Sequence, residues 1–125
     1  MLFRVTTDSP VPLGEQIAAC VRGAVAEGAA RPGERLPPAR SLAESLGVNV
    51  HTVLRGYQRL RDEGLVELRR GRGTVITSRA DAAGRARLLT LAAGLVAEAR
   101  ALGLSDHEVL GLVESQLAAP TEPAP

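Results

Sequence analysis

The sequence predicts a mainly α-helical protein with one small β-hairpin, and three observations carry that expectation. Apolar residues recur at helical spacing in five separate stretches between residues 12 and 117. Two of these stretches, about Ala39 to Leu46 and Val50 to Glu63, are separated only by Gly47, Val48 and Asn49. Directly after Gly64 the apolar period drops from helical spacing to two for a pair of short runs.

The first helix is expected from about Pro12 to Glu27, with Leu13, Ile17, Cys20, Val21 and Ala24 at helical spacing. Pro12 suits a first helical turn and Gly28 a stop, and Cys20 reads as a buried packing residue. The segment Arg31-Pro32-Gly33-Glu34-Arg35-Leu36-Pro37-Pro38 is dense in helix breakers and is expected to be a turn or extended connector. The second helix follows, with Leu42, Ala43 and Leu46 apolar and Gly47 ending it.

On a helical wheel the third segment places Val50, Val53, Leu54, Tyr57 and Leu60 on one side and His51, Thr52, Arg55, Gln58 and Arg59 on the other. Asn49 is the expected N-cap, accepting from a free N–H of the first turn. Two helices joined through a tight Gly turn, the second polar and basic on its outer face, make a helix-turn-helix. Leu65 to Arg69 and Thr74 to Thr77 then read as strands joined by Arg70-Gly71-Arg72-Gly73. A basic hairpin in that position is a wing, so the fold expected for residues 1–77 is a winged helix-turn-helix.

From Ala80 to Leu102 an Ala- and Leu-rich helix carries Leu88, Leu91, Leu95 and Leu102 on one stripe, with Leu89 and Val96 beside it. Gly103 ends it, and Ser105 with Glu108 forms a capping box for a last helix through about Leu117. Val109, Leu110, Leu112, Val113 and Leu117 leave that helix apolar over much of its circumference. Two such helices cannot bury these surfaces alone, so residues 78–118 are expected to form a two-helix dimerisation segment. Its seam is expected to include Leu88, Leu91, Leu95, Leu102, Val109, Leu110 and Val113. Residues 119–125, rich in Pro, are expected to be a disordered tail.

Composition narrows the function. No apolar run approaches the ~18 residues of a membrane span, and the first residues lack the pattern of a signal peptide, which leads to a cytoplasmic expectation. One Cys and two His give neither a disulfide nor a zinc ligand set, so no metal and no cofactor is expected. No nucleophile–base pair or phosphate-binding Gly loop is recognisable, which argues against an enzyme. All 15 basic side chains are Arg, and residues 1–77 hold 11 of them against 8 acids, whereas residues 78–125 hold 4 against 6. Between Arg40 and Arg72 there are seven Arg to four acids, which marks where a polyanion such as double-stranded DNA would sit. An Arg-rich surface without a nucleic-acid partner, or a winged helix used for protein association, are the rival readings.

The order and spacing of four blocks carry a family resemblance: Pro12-Leu13 with Gln16-Ile17; Pro32-Gly33 with Leu36-Pro37 and Arg40; Leu46-Gly47-Val48 with Thr52-Val53; and Gly64-Leu65-Val66 with Gly71-Arg72-Gly73-Thr74. Over about residues 11–77 the chain resembles the GntR family of bacterial regulators. The two-helix tail and Asn49-Val50-His51-Thr52-Val53 with Arg55 and Tyr57 look like its short YtrA-like subfamily. The resemblance implies a transcription regulator, in the first instance a repressor, binding an inverted-repeat operator as a homodimer. It implies a DNA role for Arg40, for Asn49 and for the residues just after it.

Physically, the first turns of the third helix lie nearest the base edges. There His51 and Thr52 can donate to phosphates or bases, and Arg55 can reach a guanine or the backbone. Each has an alternative: simple exposure for His51, a local cap for Thr52, a solvated charge for Arg55. For Arg59, further along, a surface charge is the favoured reading. In the wing, Gly71 and Gly73 allow close backbone approach, and Arg70 and Arg72 can enter a minor groove or clamp phosphates; the alternative is an ordinary hairpin that uses Gly for positive φ. The chain departs from the common family pattern at Val50 and Leu54, where many members carry Arg, and at Pro38, where a capping Ser is usual. Family members with a fused aminotransferase-like domain need a Schiff-base Lys, and this chain has none. A small-molecule effector, where one is sensed, is expected outside any single tail, because two helices cannot enclose a cavity of ~300 Å³.

Overall fold

The structure, a computed structural model, describes residues 1–120 of the 125-residue chain. Its elements are α1 (Leu13–Ala26), α2 (Ala39–Leu46), α3 (Val50–Asp62), β1 (Val66–Arg69), β2 (Gly73–Ile76), α4 (Ala82–Ala101) and α5 (Asp106–Ala118). The mainly helical class with one antiparallel hairpin is thus as expected. The expected disordered tail, from residue 121 on, lies outside the described residues. The chain forms two compact units, one ending at Thr90 and one beginning at Leu91.

In the first unit α1 and α3 pack side by side. Ile17, Ala18, Val21 and Val25 of α1 share a buried cluster with Val53, Tyr57 and Leu60 of α3, Leu42 and Ala43 of α2, and Leu65, Val66 and Ile76 of the hairpin. At the crossing, a Cβ built on Gly56 would lie 2.7 Å from the Gly14 carbonyl oxygen and 3.3 Å from Ile17 Cβ. Any larger residue there must push the two helices apart, because a packed interior has no slack to absorb the overlap.

The far end of the same interface is ionic. Arg22, only 2% exposed, donates from Nε to Glu63 Oε1 at 2.8 Å and from Nη2 to Glu15 Oε1 at 2.6 Å. Burial opposes its charge, but hydrogen bonds to Glu63 and Glu15 outweigh that and hold the guanidinium pKa above its ordinary value. Arg59 Nε reaches Glu63 Oε2 at 3.0 Å, and Arg85 Nε donates to the Glu63 carbonyl oxygen at 2.7 Å. Glu63, just past α3, therefore ties α1, the end of α3 and the start of α4 together.

The connector between α1 and α2 does more than turn. Gly33 N–H donates to Ile76 O and Ile76 N–H to Glu34 O, both at 2.8 Å, while Leu36 N–H donates to Thr74 O at 2.9 Å. Arg35 bridges antiparallel to Val75, so the connector lies along the outer edge of β2. Pro32, Pro37 and Pro38 flank this pairing rather than interrupt it, which is where a sheet edge tolerates proline.

Several local expectations are corrected. Pro12 stands one position before the helix, at the N-cap, rather than in its first turn. Cys20 is only half-buried, its thiol 3.5 Å from the Arg4 carbonyl oxygen. Leu54 is exposed rather than buried, and Gly56 takes the inward position instead. About 100° per residue sets Leu54 well off the line through Val53, Gly56, Tyr57 and Leu60. The hairpin pairs Arg69 with Gly73, which leaves a three-residue loop, Arg70 to Arg72. Finally, the first compact unit runs past residue 77, because Ala82 and Ala86 of α4 join its core and Leu89 packs against it.

In the second unit the turn after α4 is closed by Leu104 N–H to Ala99 O at 3.0 Å. The capping box is present: Ser105 Oγ accepts from Glu108 N–H, and Ser105 N–H donates to Glu108 Oε1, both at 3.2 Å. Ala99 is buried, but Leu91, Leu95, Leu102, Leu110, Leu112, Val113 and Leu117 are exposed, and Val109 is half-buried.

The crossing at Gly56 has a measurable consequence. Gly56→Ala is expected to lower the unfolding free energy by about 1–3 kcal/mol through overpacking. Gly23→Ala, in α1 with nothing within 4 Å of the added methyl, is expected to raise it by about 0.5–1 kcal/mol. Urea titrations of the two variants, read by far-UV circular dichroism, distinguish these opposite signs.

Candidate nucleic-acid interface

The turn between α2 and α3 depends on Gly47, whose φ of 68° lies in the left-handed region that a Cβ disfavours. As expected from Pro38, α2 begins without a side-chain cap. The α3 N-terminus is fixed by Asn49, whose Oδ1 accepts from His51 N–H at 2.8 Å. Asn49 therefore organises the first turn of the helix with the oxygen that would otherwise be free for a ligand.

With Val53, Gly56, Tyr57 and Leu60 turned inward, the outer ridge of α3 consists of His51, Leu54, Arg55 and Gln58, all exposed. Their i, i+3, i+4, i+7 spacing stacks them along one line of the helix. The helix is held in place from behind by Tyr57, whose hydroxyl donates to the Pro37 carbonyl oxygen at 2.7 Å. Burial pushes the phenol pKa up, so the donor keeps its proton throughout the ordinary pH range.

Two open grooves flank the ridge. On one side Pro12 to Glu15 of the α1 start face Thr52, Arg55, Gln58, Arg59 and Asp62. On the other, Pro37 to Ala39 and Leu54 face Leu68 and Arg72 to Thr74 of the wing. The ridge, the start of α2 and the wing are thereby brought to one side of the first unit.

The residues singled out by sequence fall as follows. Arg40 is exposed in the first turn of α2, and His51 and Arg55 stand on the ridge. Thr52 is half-buried toward the α1 groove. Arg70, Gly71, Arg72 and Gly73 are all exposed at the wing tip, where Gly71 and Gly73 each have φ of 79°. Arg72 Nη2 donates to the Gly33 carbonyl oxygen at 3.2 Å, which leans the wing arginine over the connector. Among the described residues, Arg40, Arg55, Arg70 and Arg72 have no carboxylate partner, whereas Arg59 is paired with Glu63 and Arg69 with Glu67. Arg4, Arg31, Arg35, Arg61, Arg85 and Arg87 lack one as well, so the four are distinguished by their place at the start of α2, on the ridge and on the wing rather than by being unpaired. Arg59 fits its reading as a surface charge.

Sequence reasoning misses three parts of this site. Leu54 belongs to the ridge, although its apolar type points to the buried side. Gln58, which donates to Asp62 Oδ1 at 2.9 Å, reads from sequence only as a polar position. The third is Glu67, at the base of the wing: hydrogen bonds from Arg69 and Thr77 hold its carboxyl below the usual range.

The model of the bacterial regulatory proteins of the gntR family matches residues 13–76, which is α1 through β2. The chain belongs to the GntR family. That family is one of DNA-binding transcriptional regulators rather than enzymes, and two curated relatives point to its short members. The regulator Rv1152 of Mycobacterium tuberculosis is 40% identical over 108 residues, covering 86% of this chain and 88% of its own. The repressor YtrA of Bacillus subtilis is 35% identical over 79 residues, 63% of this chain and 61% of that one. By contrast the chain spans only 26% of Rv0494, another Mycobacterium tuberculosis regulator, at 45% identity over 62 residues. Among solved structures, YtrA of Sulfolobus acidocaldarius is similar with a TM-score of 0.60 and 32% identity, over 83% of this chain and all of that one. This GntR protein is therefore of the short, YtrA-like kind.

Family motif residues now have physical reasons. Gln16 clamps the N-terminal arm, accepting from Thr6 N–H at 2.8 Å and donating to the Thr6 and Val11 carbonyls at 2.9 and 2.8 Å. Leu36 and Leu65 fill the core, and Pro37 supplies the carbonyl that Tyr57 holds. Since Asn49 serves α3 as a cap, Asn49→Ala is expected to cost about 1 kcal/mol of stability and Asn49→Ser much less. Equilibrium unfolding of the three proteins checks the order; equal stability of all three would remove the cap from the account.

Proposed function

We propose that the chain is a repressor that reads an inverted-repeat operator as a homodimer, the winged helix-turn-helix forming the reading head and the two-helix tail the dimerisation segment. The observation that carries the reading is the exposed ridge of α3 beside a wing whose two tip arginines lack acidic partners. A helix of this diameter fits the major groove, and a basic hairpin beside it fits the adjacent minor groove. In this reading His51, Arg55 and Gln58 approach base edges, Thr52 and Arg40 approach phosphates, and Arg70 and Arg72 clamp the backbone with close approach at Gly71 and Gly73. Repression is supported by the name of the Bacillus subtilis relative. The protein is expected to work in the cytoplasm, where its operator is; among the described residues no helix is long and apolar enough to cross a membrane.

Dimerisation is supported by the second compact unit. A unit this small rarely holds together by its own core, and its leucines remain largely exposed, Leu102 and Leu117 at 81% and 80%. Pairing through Leu88, Leu91, Leu95, Leu102, Val109, Leu110 and Val113 would remove that surface from water at about 25 cal/mol per Å². A two-fold dimer presents two heads, so its operator repeats with inverted symmetry at a spacing the dimer fixes.

Sedimentation at micromolar concentration is expected to give a dimer, and Leu95→Asp to give a monomer or an unfolded tail, because an unpaired charge in an apolar seam is unfavourable. A stable wild-type monomer would rule out the dimeric reading. For DNA contact, Arg55→Ala is expected to cost about 1–3 kcal/mol on the operator and to relax preference at one position per half-site. Arg72→Ala is expected to weaken all sequences alike and to reduce the salt slope by about one for each phosphate that Arg72 neutralises. A salt titration on operator and scrambled duplex separates the two effects, and unchanged binding in both variants would favour a protein-association role.

A further inference from the structure

The ridge that faces outward from α3 contains one residue that does not match its neighbours. His51, Arg55 and Gln58 carry hydrogen-bonding heads, but Leu54, in the middle of the same line, is an aliphatic side chain left 48% exposed. It is not at the edge of the core: Val53, Gly56, Tyr57 and Leu60 occupy the inward face, and Leu54 borders the groove toward the wing. The apolar residue on the wing side of that groove, Leu68, is itself 62% exposed, so neither leucine is sealed from water. A single exposed leucine on a protein surface is ordinary. On a ridge that is to be desolvated against DNA it has a defined chemical requirement.

Leu54 can donate and accept nothing, and it would strip water from any base edge it covered without replacing the hydrogen bonds that water had made. The edges of the major groove offer one apolar group, the 5-methyl of thymine. We propose that Leu54 reads the 5-methyl group of one thymine in each operator half-site, next to the position approached by Arg55. This rests on the reading that the α3 ridge enters the major groove. Chemically, it divides the ridge in two: His51, Arg55 and Gln58 select by hydrogen bonding, and Leu54 selects by the presence of a methyl.

The test uses the full chain and an operator selected from random duplex DNA. Each thymine of the selected site is replaced in turn by deoxyuridine, which deletes the methyl and leaves every hydrogen-bonding group in place. Wild-type protein is expected to lose about four-fold in affinity at one thymine per half-site, the effect of one methyl returned to water. Leu54→Ala is expected to bind the thymine and uracil operators equally, while Leu54→Met retains the discrimination. Because Leu54 is exposed and outside the core, both variants should fold, and a thermal melt verifies this. The proposal is overturned if no thymine is sensitive, if the selected half-sites lack thymine under this turn, or if Leu54→Ala still discriminates. These outcomes, with operator preference intact, leave the DNA-reading role standing. Absence of any sequence preference in the wild type overturns both.

Discussion

The first unit depends on how closely α1 and α3 approach. Where they cross, Gly56 has the Gly14 carbonyl against it at a distance that no Cβ could occupy. That approach sets the separation of the two helices, and thereby which residues of α3 reach the core and which are left outside. At the opposite end, Glu63 receives Arg22 and Arg59 through its carboxylate and Arg85 through its carbonyl oxygen. Isolated, a buried pair such as Arg22–Glu63 adds little net stability, since desolvation offsets most of the attraction. Its geometry, however, ties the end of α3 to α1, and removal of either partner would leave the other's buried charge with one remaining contact, Glu15 for Arg22 or Arg59 for Glu63. Steric fit at one end and charge pairing at the other fix the helix as a rigid mount.

From that mount the rest of the interface follows. Tyr57 reaches out of α3 to the Pro37 carbonyl, and the residues just before Pro37 pair with the edge of β2, so the recognition helix, connector and wing form a continuous hydrogen-bonded series. A displacement of α3 would therefore be felt in the wing. The electrostatics have the same origin. Glu15, Glu63 and Glu67 are engaged inward or along the hairpin, while Arg40, Arg55, Arg70 and Arg72, like several arginines elsewhere in the unit, remain without carboxylate partners among the described residues. The arginine charge at the start of α2, on the ridge and at the wing tip is thus left unneutralised by ion pairing.

Much of this is legible in the sequence, for reasons that differ by element. The α2 boundaries, the Asn49 cap and the Ser105–Glu108 box are local events, decided by residues within a few positions of one another, and they read correctly. The connector does not read as a sheet edge because its pairing partner, β2, lies some 40 residues downstream and its prolines are signals of irregularity. Arg22 escapes for a related reason. It falls in the buried stripe four positions after Ala18, and a charged residue inside such a stripe is the available signal; its partner Glu63 lies just beyond another helix. Leu54 fails on angle: hydrophobic type suggests the inner face, while the true centre of that face is set by Gly56, which has no side chain to announce it. The sequence-derived boundary after residue 77 likewise overlooks Ala82 and Ala86, because alanines weigh little in any periodicity yet pack closely once the helix is formed.

The central claim is that the α3 ridge occupies the major groove and the wing the neighbouring minor groove at two symmetric sites. Chemical interference footprinting on duplex enriched from random sequence addresses it directly, because methylation marks guanine N7 in the major groove and adenine N3 in the minor. The account predicts two clusters of N7 interference related by a dyad, each with N3 interference displaced toward the flank that the wing covers. A single cluster, interference confined to one groove, or failure of any duplex sequence to be enriched would contradict it.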